Sequence, residues 1–304
     1  MVAADSMSGK RSGDGVFTSE QYELVDFGQG RKLERFGAYL VDRPCPAATR
    51  RRRLRPERWA SVNARFDKQA DGSGRWSPPS GLPSTWTMGH EGLVFQLRPT
   101  PFGHLGLFPE QAENWDWIAA RLGDESPGRP ILNLFAYTGG ATLAAAAAGA
   151  QVTHVDSAKN VVAWARQNGA LSGLSDAPIR WIHEDAMVFV QRQLRRGVQY
   201  DGLILDPPSY GHGPKNQAWK IDRHLEPLLD ACGELLSPEA GWVLLTCHTS
   251  RLSLADLRQL LTRTCLRRRI GRIEAQPMQI TAAAGPKLPS GIRIRWTSSK
   301  RDRE

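Results

Sequence analysis

Four apolar runs, each followed by glycine or an aspartate, restrict the possible folds of this chain more than any other feature. The runs are Ile131-Leu132-Asn133-Leu134-Phe135, Gln151-Val152-Thr153-His154-Val155, Ile179-Arg180-Trp181-Ile182 and Gly202-Leu203-Ile204-Leu205. After them come Gly139-Gly140, Asp156, Asp185 and Asp206-Pro207-Pro208. The stretches between the runs are alanine-rich or amphipathic and long enough for helices. Strand and helix therefore alternate, as in a parallel sheet with helices on both faces. In open sheets of this kind a ligand sits beyond the carboxyl ends of the strands. All four polar signals fall there, so they are expected to form one site.

At 304 residues the chain can hold one large domain, or a large and a small one. No run approaches the ~18 apolar residues of a membrane span, so no membrane association is expected. Residues 1–15 are polar and small and lack the apolar core of a signal peptide, and residues 1–19 are expected to be a disordered tail. Cys45, Cys232, Cys247 and Cys265 show no Cys-x-x-Cys spacing, and no nearby histidine pair completes a zinc site. Reduced thiols in a cytoplasmic protein, with no bound metal, are the default. The net charge of +9 is segregated: +5 over residues 1–100, −5 over 101–250 and +9 over 251–304. An acidic α/β unit between basic flanks suits a polyanion gripped around a small-molecule pocket, and a merely solvated basic surface is the plain alternative.

Residues 20–105 read as a small β-rich domain. Strands are expected at Tyr22–Phe27, Trp59–Phe66 and Leu93–Leu97, separated by glycine- and proline-rich turns. Arg50-Arg51-Arg52-Arg53 and the tryptophans Trp59, Trp76 and Trp86 together suit nucleic-acid contact, although each tryptophan taken singly is expected to fill a small core. Residues 106–304 are expected to form the second domain. A helix runs from Pro109 to Leu122, followed by the α/β unit. The chain closes with a helix from Trp219 to Leu236, a strand from Gly241 to Cys247, a helix from Leu252 to Thr264 and two last strands. The fold class is α/β: a Rossmann-like, doubly wound, mostly parallel sheet whose last strand is antiparallel.

The turn Phe135-Ala136-Tyr137-Thr138-Gly139-Gly140 lets backbone approach a ligand, with the free N–H groups of the next helix behind it. It lacks both the Gly-x-Gly-x-x-Gly of dinucleotide folds and the Walker loop, so an adenosine ligand without a phosphate chain fits better than NAD or ATP. Asp156 stands where a carboxylate accepts both ribose hydroxyls, and Asp185 where one accepts from an adenine amino group. Either could instead be only the N-cap of the following helix. Asp206-Pro207-Pro208-Ser209-Tyr210 reads as a stiff loop with unpaired carbonyls facing the site and an aromatic tip, a seat for a planar acceptor. The segment Gly211 to Asn216, which includes Lys215, reads as a flexible, basic gating loop.

These residues resemble the class I S-adenosylmethionine-dependent methyltransferases, and within them the branch that includes large-subunit ribosomal RNA cytosine-C5 methyltransferases. Asn133 to Gly140 is similar to that branch's first motif, Val152 to Lys159 to its second, Glu184-Asp185-Ala186 to its third and Asp206-Pro207-Pro208 to its fourth. Phe108-Pro109-Glu110-Gln111 is similar to a segment preceding the cofactor domain. The resemblance implies S-adenosylmethionine as cofactor. Gln111, Phe135, Tyr137, Thr138 and Gly139 would hold its methionine end, Asp156 and Ser157 its ribose, and Asp185 and Ala186 its adenine. It also implies methylation of a base in RNA, ribosomal RNA first. Asp206, Pro207 and Pro208 would position the acceptor, Tyr210 and Lys215 would contact it, and Arg50–Arg53 and Arg267–Arg272 would touch phosphates. Members of that branch use a cysteine near Cys247 to attack ring carbon C6. A thiolate would be needed, activated by His248 or other basic neighbours, and a buried core cysteine is the reading preferred over it, because free cysteine is among the most buried residue types. Rival functions are a methyltransferase acting on a protein or small molecule, an NAD-dependent oxidoreductase, and a non-catalytic RNA-binding protein.

Overall fold

A computed structural model of the chain describes residues 17–69, 73–78, 81–123, 127–214, 217–238, 241–267, 269–283 and 285–299. The chain divides into two compact units. The first runs to Glu113 and takes in Gln279–Pro289; the second comprises Asn114–Met278 and the chain from Ser290 on.

In the first unit, strands β1 (Tyr22–Gly28), β2 (Arg31–Phe36), β3 (Tyr39–Pro44), β4 (Ala64–Lys68) and β5 (Gly74–Ser77) form one sheet in chain order. Only the β3–β4 pair is parallel. Strands β6 (Trp86–His90) and β7 (Leu93–Leu97) form a separate hairpin. The turns Gln29-Gly30 and Glu91-Gly92 each place two residues at positive φ, the conformation that matches strand twist in tight hairpins. A buried ionic network lies in this unit. Glu34, with no exposed surface, accepts from Tyr22 Oη at 3.0 Å and from Arg43 Nε at 2.8 Å, and lies 3.0 Å from Lys32 Nζ.

Three expectations are corrected here, and the tryptophans take the structural role expected of each singly. Trp59 lies in a 3-10 turn, Pro56–Ser61, rather than in a strand, because its indole N–H is captured by the buried Asp26 at 2.8 Å. The three tryptophans are structural: Trp76 donates to the Thr100 carbonyl and Trp86 to the Phe36 carbonyl, which spends the indole N–H groups inside the unit. The expected tail to residue 19 overlaps structure. Residues 1–16 lie outside the described residues, but Phe17 is 3% exposed and packs on Tyr22 and His90. Finally, residues 106–304 do not form one body. Gln279–Pro289 belongs with the first unit, where the Ala283 N–H donates to the Leu24 carbonyl.

The second unit holds the remaining strands: β8 (Pro130–Leu134), β9 (Gln151–Asp156), β10 (Ile179–His183), β11 (Gly202–Leu205), β12 (Tyr210–His212), β13 (Ala218–Lys220), β14 (Trp242–Cys247), β15 (Gly271–Thr281) and β16 (Lys287–Ser298), apart from residues 279–281 and 287–289 of the last two, which belong to the first unit. Its helices are α1 (Ala112–Gly123), α2 (Gly140–Ala147), α3 (Lys159–Leu171), α4 (Ala186–Arg195), α5 (Ile221–Leu235) and α6 (Leu254–Arg263). The seven-stranded sheet has the order β10-β9-β8-β11-β14-β16-β15. Its first five strands are parallel and β16 runs antiparallel to β14. Strands β11 and β14 are buried along their whole length, which is why their sequences are continuous apolar runs instead of alternating ones. From β8 the chain moves outward through β9 and β10, then returns to the other side of β8 at β11. The switch point between β8 and β11 opens a crevice at the carboxyl ends of the strands.

Candidate functional site

The turn leaving β8 is held in an uncommon backbone conformation. Phe135 (φ 57), Tyr137 (φ 49) and Gly139 (φ 94) are all left-handed. For the two non-glycine residues this costs of order 1 kcal/mol each. The turn aims the Tyr137 N–H at Asp156 Oδ2, 2.9 Å away. Asp156 Oδ1 accepts from the Ala158 N–H, also at 2.9 Å. Burial raises the Asp156 pKa, and the amides of Ala158 and Tyr137 pull it part of the way back. Each carboxylate oxygen keeps a further lone pair, an arrangement suited to a vicinal diol. Gly139 is the N-cap of α2, and a Cβ there would add strain at its φ and meet Ala165 Cβ at 3.2 Å.

Asp185 caps α4 through Oδ1, which accepts the Val188 N–H at 3.1 Å. Asp185 thus combines the capping reading with a place in the cleft, which is lined by Phe135, Asp156, Ser157, Glu184, Asp185, Ala186, Pro208, His212 and Trp219 among others. Glu184, quoted only within a motif, His212, placed only in the gating segment, and Trp219, expected only to start a helix, join this lining. Trp219 holds the wall together, donating from Nε1 to the Pro208 carbonyl at 2.7 Å and packing its ring on Phe135 at 4.9 Å. That bond corrects the expectation of unpaired carbonyls in the proline loop. Residues Tyr210–His212 form β12, paired with β13, so this part of the expected flexible loop is a hairpin. Its His212 carbonyl accepts from Ser157 Oγ at 3.2 Å. Tyr210 is 56% exposed, with Oη 3.1 Å from His212 Nε2. Lys215 lies outside the described residues.

Asp206, at the end of β11, stands beside the end of β14. Its Oδ1 accepts from Thr246 Oγ1 at 2.6 Å and lies 3.3 Å from His248 Nε2. The other ring nitrogen, Nδ1, is 2.6 Å from the Ser290 carbonyl. Pro207 is buried, and Pro208 carries the loop into the cleft.

One expected site residue, Cys247, is held out of this arrangement. Cys247 has no exposed surface, belongs to the apolar core with Leu245 and Ile294, and burial pushes its thiol up. His248 therefore faces Asp206 while the thiol stays in the core, and Cys247 has neither the access nor the thiolate character of a nucleophile. Gln111 lies buried in the first unit, in the 3-10 turn Pro109–Gln111. Thr138 is buried, and its carbonyl accepts from Asn168.

The family model for S-adenosylmethionine-dependent methyltransferases matches residues 27–261. A crystal structure of an S-adenosylmethionine-dependent methyltransferase from Agrobacterium tumefaciens is 41% identical, with a TM-score of 0.86 over 92% of this chain and 91% of that one. Methanocaldococcus jannaschii Trm5, solved in complex with adenosine, shares the fold alone, at 11% identity and a TM-score of 0.53 over 92% of this chain and 74% of that one. The ribosomal RNA large subunit methyltransferase K/L proteins of Shewanella frigidimarina and Shewanella baltica are 33% and 35% identical over 150 residues. Those matches cover 48% of this chain but only 20% of the relatives' length.

Proposed function

The chain belongs to the S-adenosylmethionine-dependent methyltransferase family, and from that premise we propose that it methylates a nitrogen of a base in RNA, with ribosomal RNA as the first candidate and the cytoplasm as the setting. The residues present fit the cofactor. Asp156 offers a free lone pair on each oxygen to the ribose, with Ser157 next to it. Asp185 keeps Oδ2 for the adenine amino group, and Ala186 supplies the floor. The left-handed turn from Phe135 to Gly139 leaves room for the methionine end. When bound, S-adenosylmethionine supplies an electrophilic methyl group on its sulfonium.

The observation that carries the acceptor assignment is Asp206. Thr246 and His248 contact Oδ1 and fix the carboxylate at the carboxyl end of β11, where we assign it to orient the acceptor nitrogen in line. Tyr210, exposed beyond the proline pair, supplies a ring on which the base can stack. Orientation provides most of the rate, and about a hundredfold is at stake for a misplacement of 1 Å. All four cysteines are buried, which favours direct transfer to nitrogen over transfer to C5 through a thiol adduct. The ribosomal RNA methyltransferase relatives support RNA as the acceptor. The test is methylation of ribosomal RNA with tritiated cofactor, followed by digestion to nucleosides. The expected product is an N-methylated nucleoside, with Asp206→Ala about a hundredfold slower. Recovery of 5-methylcytidine, or a covalent complex with 5-fluorocytidine RNA, would overturn the nitrogen assignment. Label on protein in a mixed extract, with none on RNA, would overturn the RNA reading.

A further inference from the structure

The first unit carries six arginines in nine residues: Arg50, Arg51, Arg52, Arg53, Arg55 and Arg58. Among the described residues none of the six forms an ion pair, and Glu57 is the one acidic residue in the stretch. Arg50, Arg51 and Arg52 are exposed. Unneutralised charge at this density repels itself and favours disorder unless the backbone is fixed.

Here the backbone is fixed by one carboxylate. Asp26, with no exposed surface, accepts from the backbone N–H of Leu54 at 3.2 Å, from that of Arg55 at 3.0 Å and from the Trp59 indole at 2.8 Å. The Arg51 carbonyl accepts the Gln29 N–H at 2.8 Å. Gly28 completes the seat, since a Cβ there would lie 2.6 Å from the backbone of Arg52 and Arg53. Arg53 lays its guanidinium over Trp59, 3.8 Å from the ring centroid. Leu54, 57% exposed, stands among the charges as an apolar contact.

The second arginine group behaves differently. Arg267 pairs with Asp230 and Arg272 with Glu274. Arg269 donates to the carbonyls of Gly233, Leu236 and Ser237 behind the end of α5. Those three arginines have partners within the molecule, and Arg268 lies outside the described residues.

We propose that the loop from Arg50 to Arg58 is a preformed docking surface for the phosphodiester backbone of RNA. Arg50, Arg51 and Arg52 take phosphates, and Leu54 rests on a sugar or base face. The proposal builds on the RNA reading above and assigns the surface that grips the substrate outside the methyl-transfer cleft. Its contacts are with phosphates, so it contributes affinity and no sequence choice.

The test measures binding of a labelled ribosomal RNA transcript to the full chain across about 50 to 200 mM salt. The wild type should show a steep salt dependence. The triple variant Arg50→Gln, Arg51→Gln, Arg52→Gln should lower the slope of log K against log salt by about 2 to 3, at 0.7 to 0.9 per phosphate contact. Its affinity for S-adenosylhomocysteine should stay unchanged. Arg267→Gln with Arg272→Gln should leave the slope as it is. Asp26→Asn separates mount from charge. Losing a negative charge alone would tighten RNA binding, whereas loss of the seat weakens it, and we expect weakening in a variant whose circular dichroism is native. An unchanged slope in the triple variant would sink the loop and leave the RNA reading standing. Absence of RNA binding by the wild type, or binding to phosphatidylserine vesicles that RNA fails to compete, would sink the RNA reading as well.

Discussion

Asp206 shows how much one carboxylate depends on neighbours distant in sequence. Thr246 and His248 arrive 40 and 42 residues later, from the end of the adjacent strand, and both contact the same oxygen. If they hold Asp206 and do not themselves touch the acceptor, His248→Ala should lower kcat about tenfold while leaving S-adenosylhomocysteine affinity alone, and His248→Gln should restore part of it. An equal loss of cofactor binding would show that His248 serves the other pocket. Asp156 makes the opposite expectation. Its carboxylate organises the cofactor turn, so Asp156→Ala should weaken S-adenosylhomocysteine by ten- to a hundredfold in titration calorimetry, the 1.5–3 kcal/mol of charged hydrogen bonds. Retained affinity would remove Asp156 from the site. Both aspartates could be picked out in the sequence because each ends an apolar run. Trp219 could not, because its part depends on the Pro208 carbonyl and the Phe135 ring, which only the fold brings near it.

At the scale of elements, β8, α2 and β9 are joined by a polar chain that the apolar pattern conceals. Asn133 Nδ2 donates to Thr142 Oγ1 at 2.9 Å, and Thr142 Oγ1 lies 2.9 Å from Nδ1 of the fully buried His154. Burial with no compensating charge holds the His154 pKa down, from 6.5 to about 3. The unfolded chain therefore takes up a proton below pH 6.5 that the folded one refuses until near pH 3. Stability from this group is complete above 6.5 and falls with pH through that window, by about 2 kcal/mol at pH 5. Urea midpoints at pH 7 and pH 5 should differ by that much more in the wild type than in His154→Leu, and an equal drop in both would refute the assignment. The α/β elements themselves were legible, because apolar runs and amphipathic stretches have different periods. The segment at Trp59 was not, because hydrogen bonding to Asp26, 33 residues earlier, decides its conformation.

At the scale of the molecule, two units with separate cores divide the work. The cleft is lined by residues of the second unit, whereas the arginine loop and the buried Glu34 belong to the first. Burial by itself would raise the Glu34 pKa, but Arg43 and then Lys32 overcome it and hold the carboxyl below its usual range. Removing Glu34 strands Arg43 in the core, so Glu34→Ala should cost about 3–5 kcal/mol of first-unit stability. RNA affinity should fall with it, while S-adenosylhomocysteine should still bind in calorimetry; loss of cofactor affinity would mean that the first unit contributes to that pocket. The sequence by itself determined the parallel sheet and the strand ends at which the site stands, because those depend on local periodicity and on residues within a few positions of each other. Tertiary structure alone decided which of the flagged groups are available for chemistry. Burial took Cys247 out of reach, Trp219 occupied the Pro208 carbonyl, and carboxylates and carbonyls took up Arg267, Arg269 and Arg272 while the arginines seated on Asp26 have no ion pair among the described residues. Availability depends on solvent access and on partners distant in the chain, and neither is encoded in the spacing of residues.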